Sequence, residues 1–225
     1  MRGMGRLRTE CTGTSVAESS QMTSRPIRVA LVAAWLVAAG VGLAVMLNYQ
    51  NAAGHAGETP AHWPAQAAMP LAIERATLLM FVHPRCPCSR ASMEALNRLL
   101  TKCNGQVAAH VLFLQPAGLS DDWPQTGLWR SASAIPGVTV RADRDGAEAQ
   151  RFGAETSGFV VLYSGRGELL FKGGITAARG HMGDSAGINL IASLSAGKSN
   201  RAGQTPVYGC SLLDGCGTSS GQTSQ

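Results

Sequence analysis

The 225-residue sequence is short of charge and of aromatic side chains: 15% of it is Asp, Glu, Lys or Arg, and 5% is Phe, Trp or Tyr. No basic run occurs in the region expected to fold, which excludes a nucleic-acid-binding surface. There is no Gly-rich phosphate loop before a lysine, no Gly-x-Ser-x-Gly and no Cys-x-x-Cys-His. P-loop chemistry, an α/β-hydrolase nucleophile and c-type haem attachment are therefore not expected, and no cofactor is implied. No internal repeat is present. Lys and Arg are also missing from the long stretch between Arg28 and Arg75.

That last absence frames the longest apolar run, Val29–Leu47. At ~1.5 Å per residue the run matches a bilayer's hydrocarbon core. Of the formal charge of +5, residues 1–30 supply +3, as five arginines against two glutamates. The positive charge precedes the apolar run, so the N-terminus is expected in the cytoplasm and the remainder outside it. The alternative is a cleaved signal peptide ending near Asn51-Ala52-Ala53, although such apolar regions are usually ~7–15 residues long. Either way the later residues are extracytoplasmic, periplasmic in a bacterium.

Residues 48–70 are rich in Ala, Gly, Pro, Gln and His, without periodicity, and read as a spacer. Order begins at residue 71. Ala76–His83 and Val107–Gln115 read as buried strands, and Val138–Asp143 as a short one. Pro87–Lys102, Pro124–Ala134, Asp145–Phe152 and Asp184–Ala196 read as helices, the first stopped by Asn104-Gly105. Phe159–Ser164 and Glu168–Gly173 flank Gly165-Arg166-Gly167 as a hairpin. The expected architecture is an α/β mixed sheet covered on both faces. From Ser199 the chain is Gly/Ser/Thr-rich and reads as a mobile tail.

The chemistry is concentrated in His83-Pro84-Arg85-Cys86-Pro87-Cys88-Ser89-Arg90, where the first strand hands over to the first long helix. Pro87 suits an early helical position and puts Cys86 near the N-cap. Free backbone N–H groups and the positive end of the helix dipole then favour thiolate over thiol. Arg85, Arg90 and His83 add positive potential. Since the thiolate is the reactive form, Cys86 is the expected nucleophile.

These features resemble the thioredoxin-like superfamily. The resemblance rests on the strand–Cys–helix junction, the Asp143–Gly153 stretch, the hairpin and the last helix. Further phrases are similar to the bacterial RedB-type proteins: Cys-Pro-Cys-Ser, Ile135-Pro136-Gly137-Val138, Thr156-Ser157-Gly158, Gly173-Gly174-Ile175-Thr176, Arg179-Gly180-His181 and Thr205–Cys210. The resemblance implies a thioredoxin-like mixed sheet flanked by helices, and the apolar run puts one transmembrane helix ahead of it. It implies thiol–disulfide exchange with a cysteine-containing protein substrate or redox partner. The segments are then a cytoplasmic stretch 1–26, a transmembrane helix 27–47, a linker 48–70, the domain 71–198 and a Cys-containing tail 199–225. Two departures stand out. Matching Cys86 to the first cysteine of Cys-x-x-Cys puts Ser89 at the second. The proline expected before the hairpin strand is absent, where the chain reads Ser157-Gly158-Phe159.

Six cysteines are present. Cys86 and Cys88 could join only in a small, strained and easily reduced ring. Alternatively Cys88 never pairs with Cys86, and Cys210 resolves instead. A structural Cys210–Cys216 bridge competes with that role, Cys103 reads as a packing residue and Cys11 as a spectator. The catalytic set is thus Cys86, Cys88 and Cys210, supported by His83, Arg85, Ser89, Arg90 and His181. Asp143 and Asp145 read as helix-entry residues, and Trp123 and Trp129 as packing or lid residues. A different reading makes His83, Cys86 and Cys88, with His181 or Cys210, a ligand set for copper or zinc. A third makes the fold a non-catalytic scaffold.

Overall fold

The computed structural model describes residues 24–198 and 201–213. Cys11, Cys216, residues 1–23 and the end of the tail lie outside them. The chain divides into two units, Met1–Asn48 and Tyr49–Gln225.

The first unit contains most of helix α1 (Ser24–Asn51). Its apolar side chains, Leu31, Trp35 and Leu43 among them, are exposed on every side. The span Arg25–Asn51 is long and apolar enough to cross a membrane. At ~1.5 Å per residue, its 27 residues extend about 40 Å.

The second unit runs β1 (Ala76–Val82), α2 (Ser89–Cys103), β2 (Val107–Gln115), α3 (Gly127–Ser133) and β3 (Val138–Arg144). It continues with α4 (Ala147–Arg151), β4 (Phe159–Tyr163), β5 (Leu169–Gly174), α5 (Ala186–Ser195) and β6 (Gly203–Gln204). The sheet order is β3-β2-β1-β4-β5-β6. β1, β2 and β3 are parallel, whereas β4 runs antiparallel to both β1 and β5. This is the mixed α/β sheet expected from the sequence, with ends shifted by a few residues. Asn104 stops α2 by turning left-handed, and its N–H donates to the Leu100 carbonyl at 3.2 Å.

Alternation along β1 sorts the two cores. Leu78, Met80 and Val82 join Met93, Leu96 and Leu99 of α2 and Ile188 and Ile191 of α5 on one face. Leu79 and Phe81 join Leu112, Phe159, Val161 and Phe152 on the other. Helix α4 alone is too short to cover that second face. Two segments read from composition as spacer and tail complete the cover.

Within 54–71, Trp63 packs edge-on against Phe152 and Tyr163, and Met69 is buried. Backbone bonds fix this segment: Gly54 N–H to Val207 O at 2.8 Å, Trp63 N–H to Gly167 O at 2.7 Å, and Leu169 N–H to Ala61 O at 2.9 Å. Residues 201–213 are likewise ordered into a strap. It adds β6 to the sheet edge, buries Val207 and Leu212, and bridges Ser211 to Thr156. Over 201–213, the segment expected as a tail is thus paired to the rest of the domain.

Candidate active site

β1 ends at Val82, and the next residues bend into successive tight turns. Cys86 N–H donates to His83 O, Ser89 N–H to Cys86 O, and Ala91 N–H to Cys88 O. Helix α2 proper starts at Ser89 with Cys88 as its N-cap. Pro87 thus lies ahead of the helix, and Cys86 sits a half-turn before the expected position, because three-residue turns precede the four-residue helical bonds.

Ser157, at the place where the resemblance expects a proline, ties the turn down. Its Oγ accepts from His83 N–H at 2.8 Å and lies 2.9 Å from Ser89 Oγ. Gly158, at φ +91°, donates its N–H to Phe81 O at 2.7 Å. The strap then runs beside this loop. Ser157 N–H donates to Cys210 O, and Leu212 N–H to Glu155 O, both at 2.8 Å. A Cβ at Gly209 would run into the Ser157 carbonyl oxygen, so glycine is what allows so close an approach.

The result brings three thiols together. Cys86 Sγ and Cys210 Sγ are 3.0 Å apart. With Cys88, the three sulfurs all lie within 4.8 Å of one another. Cys86 is buried, and the other two are half-buried. Burial pushes the Cys86 thiol up. Hydrogen bonds from the Cys210 thiol, from Ser89 and from the backbone N–H groups of Cys210 and Cys88 outweigh it and hold Cys86 below its ordinary value. The partner is pushed the other way: burial, the hydrogen bond to Cys86 and its charge raise Cys210 to about 12. Burial and Cys86 also raise Cys88, against the opposing pull of Arg179. The two neighbouring thiols are thereby shifted in opposite directions, Cys86 down and Cys210 up.

The supporting residues divide. Ser89 is buried beside Cys86. His83 turns its Nδ1 to accept from Arg85 N–H at 3.2 Å, and its ring meets Trp123 edge-on. Burial, then Arg85, lower its pKa. Arg85 lies over the Trp123 ring at 5.0 Å. Trp123 thus covers the motif, while Trp129 packs against Phe113 in the core. A cavity of about 420 Å³ opens beside Cys86, lined also by Arg85, Arg90, Thr126 and Leu128. His181 is exposed, and the thiol cluster contains no histidine. The ligand set His83, Cys86 and Cys88 is therefore not what the geometry assembles. Cys103 is buried and accepts from Ser195 Oγ at 3.4 Å, away from the site. Asp143 takes Glu148 and Ala149 N–H on its two oxygens, a helix-entry role.

The part played by Ser157 was marked in sequence only by the missing proline. Arg179, half-buried, donates to Gly209 O and so holds the strap.

No family model matches the chain, and no curated protein matches it. Solved structures do match. A hypothetical protein from Sinorhizobium meliloti 1021 is 22% identical with a TM-score of 0.51, covering 72% of this chain and 94% of its own. An uncharacterized conserved protein from Geobacillus kaustophilus is 17% identical with a TM-score of 0.51, covering 72% and 92%. An exposed lipoprotein thioredoxin of Streptococcus pneumoniae strain TIGR4 is 13% identical with a TM-score of 0.41, covering 56% and 86%. The likeness to the first two is one of fold.

Proposed function

We propose that this chain is a membrane-anchored thiol–disulfide oxidoreductase in which Cys86 attacks and Cys210 resolves. The observation that carries it is the 3.0 Å approach of a pKa-lowered Cys86 to a protonated Cys210. The Cys86 thiolate attacks one sulfur of a partner disulfide, and the other partner sulfur leaves and takes a proton. Cys210 then gives up its proton and attacks the Cys86 sulfur, releasing the second partner thiol. The partner disulfide is reduced to two thiols, and Cys86 and Cys210 become a disulfide. The reverse sequence oxidises a partner dithiol, and the relative potentials set the direction.

The first step activates the second. Apart from burial, Cys210 is held protonated by its hydrogen bond to Cys86 and by the charge there. A mixed disulfide on Cys86 carries no charge, so that restraint ends as soon as the partner is captured, while Arg179 still favours the Cys210 thiolate. Cys88 flanks the pair and is not required for this sequence. The cavity beside Cys86 gives a partner access, and Arg85 and Arg90 on its wall favour an acidic segment around the partner's cysteine.

Within the thioredoxin-like fold, the Cys-Pro-Cys-Ser junction and the Thr205–Cys210 phrase support the RedB-type assignment. The arginines before Val29 support a cytoplasmic N-terminus and an extracytoplasmic domain.

The test is disulfide mapping by mass spectrometry of the full chain in detergent, poised in graded glutathione buffers. A Cys86–Cys210 bond that titrates with the buffer is expected. Cys86 remaining a free thiol under every buffer, or bonding only to Cys88, sinks the mechanism.

A further inference from the structure

We propose that the reduced site is also a three-sulfur binding site for Cu(I), built by Cys86, Cys88 and Cys210. It shares two of its three thiols with the exchange reaction but does not rest on their exchanging anything.

The donor set decides the class of metal. Three cysteine sulfurs lie within 4.8 Å of one another, and among the described residues no His, Asp or Glu joins them. The nearest imidazole in sequence, His83, spends its Nδ1 on Arg85 N–H. Thiolates of this softness select Cu(I), whereas protein zinc is almost always four-coordinate. Metal–sulfur bonds of ~2.3 Å place the corners of a flat three-sulfur triangle about 4 Å apart. The cluster spans 3.0 Å between Cys86 and Cys210 and at most 4.8 Å overall. Opening that one pair by about 1 Å brings it to the triangle's edge length, a shift that rotation of the Cys210 side chain supplies while its backbone stays bonded to Ser157. The Arg179 guanidinium acts on both Cys88 and Cys210 and offsets the negative charge that three thiolates leave around a monovalent ion. Burial of Cys86 keeps water from one face of the site.

Holding metal and holding a disulfide exclude each other. When Cys86 and Cys210 join, two electrons pass to the partner disulfide, which with two protons becomes two thiols. Two of the three ligands are then consumed, and Cu(I) is released with only Cys88 left. The site thus holds copper when reduced and lets it go when oxidised.

The experiment titrates Cu(I) anaerobically into the reduced full chain in detergent against bathocuproine disulfonate. Cys11 and Cys216 are replaced by serine to remove their thiols. One Cu(I) per chain is expected, with thiolate-to-copper charge-transfer absorption in the ultraviolet. Loss of one ligand is expected to cost more than the ~10–100-fold typical of an outer-shell change. Cys88→Ser tests this without touching the strap, and Cys210→Ser tests the same cluster from the other side. Cys103→Ser should leave affinity unchanged. Protein carrying the Cys86–Cys210 bond should bind no competition-resistant copper. Binding that survives both Cys88→Ser and Cys210→Ser, a preference for Zn(II), or no Cu(I) held against the chelator would each overturn the proposal. Because the titration involves no disulfide, copper binding without exchange removes the oxidoreductase reading alone. Exchange without copper removes this one alone.

Discussion

Replacing Cys210 with alanine isolates what the second thiol does to the first. The Cys210 thiol lies 3.0 Å from the Cys86 sulfur and is the largest of the hydrogen bonds that overcome burial there. A hydrogen bond to a charged group is worth ~1.5–3 kcal/mol, and ~1.36 kcal/mol moves a titration by one pH unit. In Cys210→Ala the Cys86 midpoint should therefore rise by about 1–2 pH units. At a pH below both midpoints the thiolate fraction falls ~10–100-fold. The more basic thiolate is intrinsically more nucleophilic, with a Brønsted coefficient of ~0.4–0.5, so alkylation slows by only ~3–10-fold. The assay is the pH profile of iodoacetamide alkylation at Cys86, followed by mass spectrometry peptide by peptide. Truncation also widens access to a residue only 2% exposed, so the midpoint and not the plateau is read. Cys210→Ser retains a donor and should recover most of the shift. A Cys210→Ala midpoint at or below that of the unmodified chain refutes the reasoning.

Ser157→Ala leaves His83 N–H without its acceptor and should cost about 1–3 kcal/mol in urea unfolding; a change under ~0.5 kcal/mol would show that water replaces the hydroxyl. Gly209→Ala forces the strap off the Ser157 carbonyl. Overpacking of this kind costs ~1–3 kcal/mol, so alkylation of Cys210 should accelerate about 5-fold or more, and an unchanged rate contradicts the contact. Burial raises Asp143 from 3.8 to about 6 despite its bonds to Glu148 and Ala149. Its folded value lies above its unfolded one, so its contribution is complete below about pH 4 and lost as pH rises through about 6. Relative to Asp143→Asn, stability should fall by about 3 kcal/mol across that window, and parallel pH profiles would show that the two N–H bonds cancel the burial.

The sheet was legible because its strands carry their own signal. Leu78 to Val82 alternate between two cores, and the Asn104-Gly105 stop and the Gly165–Gly167 turn have local causes that do not depend on the rest of the chain. The cover of the second face was not legible. Trp63, Met69, Val207 and Leu212 are isolated apolar residues among Ala, Gly and Pro, without a period, and extended segments held by backbone bonds have no pattern to display. The same blindness touches the site. Cys86 was marked by its junction, Cys210 by the Thr205–Cys210 phrase and Ser157 by the missing proline, but nothing local says that a strap places Cys210 against Cys86, that Ser157 ties down the turn, or that Arg179 holds the strap.

The strap also gives the two sulfurs a long separation along the chain. Cys86 and Cys210 are 124 positions apart, so a bond between them encloses β2 to β6 and helices α2 to α5 in one covalent ring. Closing a ring of that length removes about 5 kcal/mol of chain entropy from the unfolded ensemble. The cycle is reciprocal: whatever the bond lends to folding, folding lends to the bond. At ~30 mV per 1.4 kcal/mol for a two-electron couple, the folded domain makes the pair about 100 mV more reducing than the same two cysteines in the unfolded chain. A bond between neighbours such as Cys86 and Cys88 would feel only about a third of this. The electron affinity of the long-range pair is thus a readout of the integrity of the whole domain, and anything that loosens the strap turns the pair into a stronger oxidant.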